Sequence, residues 1–464
     1  MPFIAPVPEN TPYRDVANAL WGWVSSSAQA WKLSGAHRSI CEDFFIKEGP
    51  EIFLRVCRER AVYTPGAIEA TFHLAPFHSV VAALAAEPDF GPILGKAVGS
   101  ASHLFPISPD RIAASVVPVD TDYERPTDMQ FGEPGRIEKL LRQLHTVVRA
   151  ATFEVVYVTP IWDLEVATPL ELEPGLVIDV LTDDEAIKAL QMNAIAGDMA
   201  QRRRYKREPY RRLALRRTIA LPKLVLDRIP TPEDVLAGRH PGAHEQNGFD
   251  DPERLLSLLP LVSTGLAKTG ATMTWATIGS PWGIQSVNYL PTSTPGLDDT
   301  QSPRPQVTLN DAGAADLVRY WAALRATQAQ GPASLALRRL RDAAERRRDA
   351  DRILDIVIAA EALFLPADGD HTELKFRCSL HAAFYLETEL AERRIVYRTV
   401  GAAYDMRSAI AHGSEPRAVR VLGEPLTVEA LTPRVEEIVR RALQKRLGER
   451  QEPDWDALVV GLVP

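Results

Sequence analysis

A change of apolar pattern between residues 291 and 306 constrains the fold of this 464-residue chain more than any other feature. Before this segment, runs of β-branched and aromatic residues alternate with helix-like segments, whereas after it only the helical period continues. The segment itself carries four prolines among serines and threonines, which is typical of a linker. We therefore predict an α+β multidomain protein whose last part is an all-α helical bundle.

The predicted elements on the two sides of the linker differ in kind. Helical patterns precede it at residues 14–60, 78–100 and 135–151, and a capping-box pattern at 182–185 opens a further helix. Strand patterns lie at residues 153–158, 175–181, 218–226 and 271–278, followed by a turn at 280–283 and an apolar run at 284–290. After the linker, a first helix is predicted to begin at a cap formed by Asn310-Asp311. Further helices are predicted at residues 335–348, 353–365, 374–390 and 395–411, and a last one from Thr432-Pro433 to about Leu447.

These patterns divide the chain into three regions, as its length leads us to expect. Residues 1–130 form a helix-rich region without a predicted role. Residues 131–305 form a mixed α+β domain, interpreted as a recognition or sensor domain that ends in the proline-rich linker. Residues 306–464 form the helical domain.

The charge of the chain is unevenly distributed. Its net charge of −8 argues at first against a nucleic-acid partner, but residues 202–217 carry nine basic groups and one acidic group. Arg202, Arg203, Arg204 and Arg207, with tyrosines interleaved, are a predicted contact for an RNA backbone and its bases. The alternative is a solvated segment that balances the acidic N-terminal part.

Several patterns narrow the compartment and the chemistry. No run of about 18 apolar residues is present, and the N-terminus lacks a basic segment followed by an apolar one, so we expect neither a membrane span nor a secretory signal. Three cysteines without metal-like spacing fit a reducing cytoplasm. The histidines form no convincing metal set, and residues 91–96 lack the spacing of a phosphate-binding loop. No metal and no cofactor are therefore predicted.

The pattern Arg407-Ser408-Ala409-Ile410-Ala411-His412 is followed directly by Gly413, a residue that commonly ends a helix. His412 is thus expected at a helix C-terminus, where the macrodipole favours a protonated imidazole suited to acid–base catalysis. Arg407 offers a cationic fork for a phosphate. The two are separated by roughly 140° around a straight helix and so do not share one face. To act together they either converge on a groove from its two sides or require the last turn to unwind. The plain alternative is a surface arginine and a helix-end cation.

Three separated C-terminal segments resemble a known family in their order along the chain. Residues 351–365, Asp-Arg-Ile-Leu-Asp-Ile-Val-Ile-Ala-Ala-Glu-Ala-Leu-Phe-Leu, resemble the apolar helix with an acidic residue of ApeA-like HEPN domains. Leu374-Lys375-Phe376-Arg377 resembles the next helix, and residues 404–413 resemble the closing Arg-x4-His motif with Ser after Arg and Gly after His. The resemblance covers about residues 312–447. Residues 150–290 are more loosely similar to the region that precedes such domains.

The resemblance implies a metal-independent endoribonuclease that acts in antiphage defence or as a toxin, with Arg407 and His412 catalytic. It also implies a homodimer through the HEPN domain in which two motifs face one cleft. RNA, with tRNA among the candidates, is the expected substrate, and a phage-derived trigger or a separate antitoxin chain is a further partner. The rival function is a HEPN module for dimerisation and RNA or nucleotide binding without cleavage.

The residues around the motif leave alternatives open. Glu361 lies in an apolar helix face and requires a partner, since an unpaired buried carboxylate is costly. If the partner is Arg407, Glu361 belongs to the catalytic group; if it is Arg377, the pair is structural. Ser408, Tyr404 and Arg377 are candidates for binding the substrate, Ser408 at a phosphate and Tyr404 at a base. The alternatives are a solvated serine for Ser408 and a core aromatic residue for Tyr404.

Overall fold

The structure, a computed structural model, describes seventeen stretches of the chain: residues 11–33, 37–48, 51–63, 69–100, 103–116, 134–182, 208–209, 213–228, 233–234, 250–269, 272–276, 286–288, 306–326, 331–366, 373–413, 418–449 and 453–461. The predicted turn at 280–283 lies outside these residues, as does most of the predicted helix start at 182–185 and of the linker. No described helix has both the length and the apolar content needed to cross a lipid bilayer.

The N-terminal region mixes helices and strands: α1 (Arg14–Leu33), β1 (His37–Glu48), β2 (Glu51–Tyr63), α2 (Ala75–Ala86), β3 (Ala97–Ser100), β4 (His103–Pro106), α3 (Pro109–Val116) and α4 (Pro134–Arg149). The helix predicted over 14–60 is wrong beyond Leu33, because β1 and β2 form an antiparallel hairpin. Gly49-Pro50 disfavours a continuous helix there, and the flanking runs are β-branched and aromatic. The helix predicted over 78–100 ends at Ala86, ahead of Gly91-Pro92.

The middle region is built on an antiparallel sheet. Its elements are β5 (Thr152–Trp162), β6 (Leu164–Glu165), β7 (Leu170–Glu173), β8 (Leu176–Val180), β9 (Glu208–Pro209), β10 (Leu213–Pro222), β11 (Leu224–Leu226), α5 (Asp251–Val262), β12 (Lys268–Thr269), β13 (Thr272–Ala276) and β14 (Ser286–Asn288). Among the described strands, seven form one sheet in the order β14-β13-β5-β10-β8-β7, with β12 also paired to β5. The strands predicted at 153–158 and 175–181 are confirmed, and the described part of 271–278 is the strand β13, because β-branched and aromatic runs fit a pleated surface. The strand predicted at 218–226 is divided between β10, which begins at Leu213, and β11, which pairs with β3.

The C-terminal region is helical, as predicted, with two short exceptions. Its elements are β15 (Val307–Thr308), α6 (Asp311–Ala326), α7 (Pro332–Glu345), α8 (Asp349–Phe364), α9 (Leu374–Leu386), α10 (Leu390–Ala411), β16 (Val419–Val421), β17 (Glu424–Leu426), α11 (Val428–Glu449) and α12 (Trp455–Val460). The β16–β17 hairpin was not predicted. The last long helix begins at Val428 rather than at Thr432, because the carbonyl of Thr427 already accepts the Leu431 amide. Pro433 therefore lies inside α11.

One face of the sheet supports two apolar clusters. Residues 213, 215, 217, 219 and 221 of β10 point to the same face, since side chains alternate along a strand. Leu215 packs in a cluster with α5 and the C-terminal helices, whereas Leu221 packs with α1 to α4. The first cluster runs without a break across the predicted domain boundary at 305/306. Backbone hydrogen bonds cross it as well, because β15 pairs in parallel with β6.

Candidate functional site

The C-terminal end of α10 forms as the sequence predicts. The helix ends at Ala411, and Gly413 adopts a left-handed conformation with φ of +72° while its amide donates to the carbonyl of Ile410. A residue without Cβ adopts this conformation without steric cost. His412 therefore lies at the helix cap, with its side chain exposed to solvent. Within the described part of the chain, no hydrogen bond occupies its imidazole, so the ring is available to a ligand.

Arg407 is held by Glu361 of α8. The Arg407 Nη1 atom lies 3.6 Å from Glu361 Oε1, and the two side chains are 35% and 21% exposed. Of the two alternatives for Glu361, the structure shows the pair with Arg407. Glu361 is thus less buried than its apolar neighbours in sequence led us to expect. Part of the guanidinium remains open to solvent and to an incoming phosphate.

Tyr404 completes this group of three side chains. Its hydroxyl donates a hydrogen bond to Glu361 Oε1, and the Arg407 guanidinium carbon lies 5.7 Å from the centre of its ring. Burial, together with the hydrogen bond to Glu361 and the charge of that carboxylate, raises the pKa of Tyr404 well above its ordinary value. Tyr404 therefore remains a neutral donor that orients Glu361. The structure does not place its hydroxyl as a free contact for a base.

The helix α9 borders the site on one side. Lys375 Nζ lies 2.7 Å from Asp405 Oδ2, which joins the start of α9 to the last turns of α10. Cys378 is fully buried behind Glu361, and burial, followed by the charge of Glu361, raises the pKa of its thiol. Ser408 is exposed one turn before His412. Arg377 is half-buried on α9.

The charges and the exposure of these groups define what the arrangement can bind. Glu361 neutralises part of the charge of Arg407, but a guanidinium has five N–H donors, and the carboxylate contact leaves most of them unused. His412 lies five residues further along α10, at a rise of roughly 7.5 Å along the axis. The site therefore presents one partly open cation and one exposed proton-transfer group near a helix end. Both suit an anionic ligand such as a phosphodiester.

Only the end of the basic run, from residue 213 onwards, and the short segment 208–209 lie among the described residues. Arg202, Arg203, Arg204 and Arg207 lie outside the described residues. Arg217, at the end of the run, is buried in β10 and contacts Asp251 at 2.7 Å. That arginine is part of the interior and is not available to RNA.

Sequence reasoning missed the ion pair between Lys375 and Asp405 and the exposed position of Phe376 beside it. Both depend on how α9 crosses α10, which a helical period does not give. The weak signal in the sequence was a lone aromatic residue between Lys375 and Arg377.

Within the described residues, no three histidine, cysteine, aspartate or glutamate side chains are grouped so that they could hold a metal ion. Comparisons of the chain with protein-family models, with curated proteins and with solved structures gave no match.

Proposed function

We propose that the C-terminal helices form a HEPN-type, metal-independent endoribonuclease with Arg407 and His412 as its catalytic residues. The observation that carries this proposal is the position of Arg407, which is oriented by Glu361 while still one third exposed. His412 caps the same helix with a ring open to solvent. The pair supplies the cation and the proton-transfer group that RNA cleavage requires.

The reaction needs no activated water. The ribose 2′-oxygen attacks the adjacent phosphorus, the bond from phosphorus to the 5′-oxygen breaks, and the 2′-hydroxyl proton is transferred to a base. An acid then protonates the departing 5′-oxygen, so that the products carry a 2′,3′-cyclic phosphate and a 5′-hydroxyl. Arg407 stabilises the charge that develops on the phosphoryl oxygens. His412 performs one of the two proton transfers, and the Ser408 hydroxyl, which is exposed, donates to a phosphate oxygen.

A homodimer supplies what one subunit lacks. Two proton transfers are served most simply by two imidazoles, and one subunit offers one His412. A two-fold dimer through the C-terminal helices would bring two motifs to one cleft. In this account the protein is cytoplasmic, cuts RNA such as tRNA in antiphage defence or as a toxin, and answers to a phage-derived trigger or a separate antitoxin through its α+β part.

A second candidate function is RNA or nucleotide binding without cleavage by a dimeric HEPN module. The observation that favours it is the same single imidazole, which no hydrogen bond or ion pair joins to a second acid or base among the described residues. Binding needs only the cation and the open surface, whereas cleavage needs both proton transfers.

The experiment that separates the two is incubation of the purified chain with total RNA in the presence of EDTA. We expect cleavage to continue without divalent metal and the new ends to be a 2′,3′-cyclic phosphate and a 5′-hydroxyl. Intact RNA, or cleavage that leaves 5′-phosphate ends, would reject this mechanism.

A further inference from the structure

Phe376 is exposed on α9, next to Lys375. Its side chain is 47% exposed, although it lies on a helix whose neighbouring residues Cys378 and Ser379 are buried. An open cavity of about 520 Å³ lies against it and is lined by Glu373, Leu374, Lys375 and Phe376. A large aromatic side chain at the wall of an open cavity offers a flat apolar surface that suits a flat ligand.

Tyr397 extends this aromatic surface towards the catalytic group. Its ring lies edge-on to that of Phe376, with the ring centres 6.3 Å apart. Tyr397 precedes Tyr404 by seven residues, which is about two helical turns, so both lie along the same face of α10. Lys375, next to Phe376, reaches Asp405 on this helix. The aromatic pair thus lies where α9 and α10 meet, roughly 15 Å before Arg407 along the axis of α10.

The cations beside the aromatic pair are arranged for a polyanion. Arg394 and Arg398 are both exposed on α10, and neither forms an ion pair with any described residue. The guanidinium carbon of Arg398 lies 5.8 Å from the centre of the Tyr397 ring. Arg394 is three residues before Tyr397 and therefore its neighbour on the helix surface. Cations without an ion-pair partner around partly exposed aromatic rings are the composition of surfaces that bind single-stranded nucleic acid.

We propose that Phe376 and Tyr397 stack an unpaired base of an RNA strand while Arg394 and Arg398 bind its phosphates, and that this strand crosses α10 to reach Arg407 on the other side of the helix. This inference rests on the proposed function and specifies its substrate as single-stranded RNA. From Tyr397 to Arg407 the rise along α10 is roughly 15 Å, or about four nucleotides at the spacing of stacked bases. The stacked base therefore lies a few nucleotides from the phosphate that is cut.

The test measures binding of the full chain to a single-stranded 2′-O-methyl oligoribonucleotide of mixed sequence, about 12 nucleotides long, which is within the site size of such surfaces. The 2′-O-methyl group prevents cleavage. Phe376→Ala should weaken binding by roughly 5- to 150-fold, the loss of one stacked base. Phe376→Trp should restore it, because tryptophan also stacks. Ile395→Ala, at another exposed position of the same helix pair, is the matched control and should bind as the wild type does.

The salt dependence of binding tests the proposed phosphate contacts of Arg394 and Arg398 separately. Changing Arg394 and Arg398 together to Gln should reduce the slope of log affinity against log salt by about 1.4, since each phosphate contact to a single strand contributes about 0.7. The same oligonucleotide in a duplex should bind more weakly than the single strand and should be insensitive to Phe376→Ala.

Two results would contradict the proposal that Phe376 and Tyr397 stack a base. One is wild-type affinity of Phe376→Ala for the single strand. The other is conversion of a dimer to a monomer by Phe376→Ala with unchanged binding, which would assign this surface to a second copy of the chain. The absence of cleavage is a separate outcome. If the wild-type chain binds RNA through Phe376 but does not cut it, base stacking is supported and the proposed endoribonuclease activity is rejected.

Discussion

Arg407 is positioned by Glu361 and Tyr404, which are hydrogen-bonded to each other. Tyr404 donates to Glu361, and Glu361 in turn contacts Arg407 at 3.6 Å. The guanidinium also faces the Tyr404 ring. A planar cation fixed in this way loses less rotational freedom when it meets a phosphate, which is the advantage of a preorganised site.

Glu361→Gln tests this positioning role. The amide keeps the size of the side chain but removes the charge that holds Arg407, so the rate of RNA cleavage should fall by about 100-fold or less, the cost of a small misplacement of a catalytic group. Glu424→Gln, which removes the partner of Arg434 at 2.8 Å on the surface, is the matched control and should cut at the wild-type rate. Unchanged cleavage by Glu361→Gln would contradict the positioning role.

At the residue scale, local backbone features could be predicted from the sequence, whereas contacts between side chains on different helices could not. The glycine after His412 was sufficient to predict the end of α10, because that effect is local. The choice between Arg407 and Arg377 as the partner of Glu361 was not decided by sequence, since it depends on how α8 and α10 pack. The hydrogen bond that the Tyr404 hydroxyl donates to Glu361 was not predicted either, because it also depends on how α8 and α10 pack.

Among the elements, β10 joins the two halves of the molecule. Arg217 lies on its buried face between Leu215 and Ile219, that is, between the two apolar clusters. It contacts Asp251 of α5 at 2.7 Å and Glu173 of β7 at 2.5 Å. Glu173 also accepts a hydrogen bond from Trp321 of α6. Burial raises the pKa of Asp251, whereas hydrogen bonds from Trp321 and Arg217 outweigh burial at Glu173 and lower its pKa.

Breaking this buried pair should destabilise the protein strongly. Asp251→Ala leaves the charge of Arg217 incompletely compensated in the interior, and the free energy of unfolding should fall by about 3–5 kcal/mol. Arg217→Met combined with Asp251→Leu should recover most of that loss, because apolar residues of similar volume replace a buried pair at little cost. Arg434→Ala, which breaks an exposed pair, should change stability little.

Urea unfolding followed by circular dichroism measures all three variants. If Asp251→Ala unfolds at the urea concentration of the wild type, the buried contact with Arg217 contributes nothing to stability.

The elements themselves show where sequence patterns succeed. The helices α6 to α11 were predicted because each carries a sustained apolar period on one face, whereas the six-residue helix α12 is too short to show one and was not predicted. The β1–β2 hairpin was mistaken for helix because its apolar residues fit either period over short windows. The three-residue strands β16 and β17 are too short to carry a period at all.

The whole molecule is organised around a core that crosses the predicted boundary at 305/306. Leu255 and Leu259 of α5 pack in the same cluster as the C-terminal helices. Arg440 and Gln444 of α11 donate to the carbonyls of Pro260 and Leu261, each at 2.8 Å. The proline-rich segment marks a change from mixed to helical secondary structure, but it does not separate two hydrophobic cores. Local composition predicts the change of secondary structure and gives no information on which faces pack together.

A fragment of residues 306–464 should therefore be less stable than the full chain, because it exposes the helix surfaces that α5 and the sheet cover. A fragment of residues 250–464 regains α5 and should melt at a higher temperature than 306–464. Thermal unfolding monitored by circular dichroism compares the three. Equal melting temperatures for 306–464 and the full chain would contradict the shared core.

A composite site in a dimer predicts a particular dependence on mixing. When wild-type subunits exchange with an excess of His412→Ala subunits, heterodimers replace homodimers, and the cleavage rate per wild-type subunit should fall. A rate per wild-type subunit that stays constant would show that each subunit cuts alone.

The rate of RNA cleavage by His412→Ala, compared with the wild type, tests the central claim most directly. Removal of the proton-transfer group should lower the rate by about 100- to 10,000-fold without unfolding the protein, since the side chain is exposed. His78→Ala, at an exposed histidine of α2, is the matched control and should cut at the wild-type rate. Cleavage by His412→Ala at the wild-type rate would contradict the account, because no role in proton transfer would then remain for the motif.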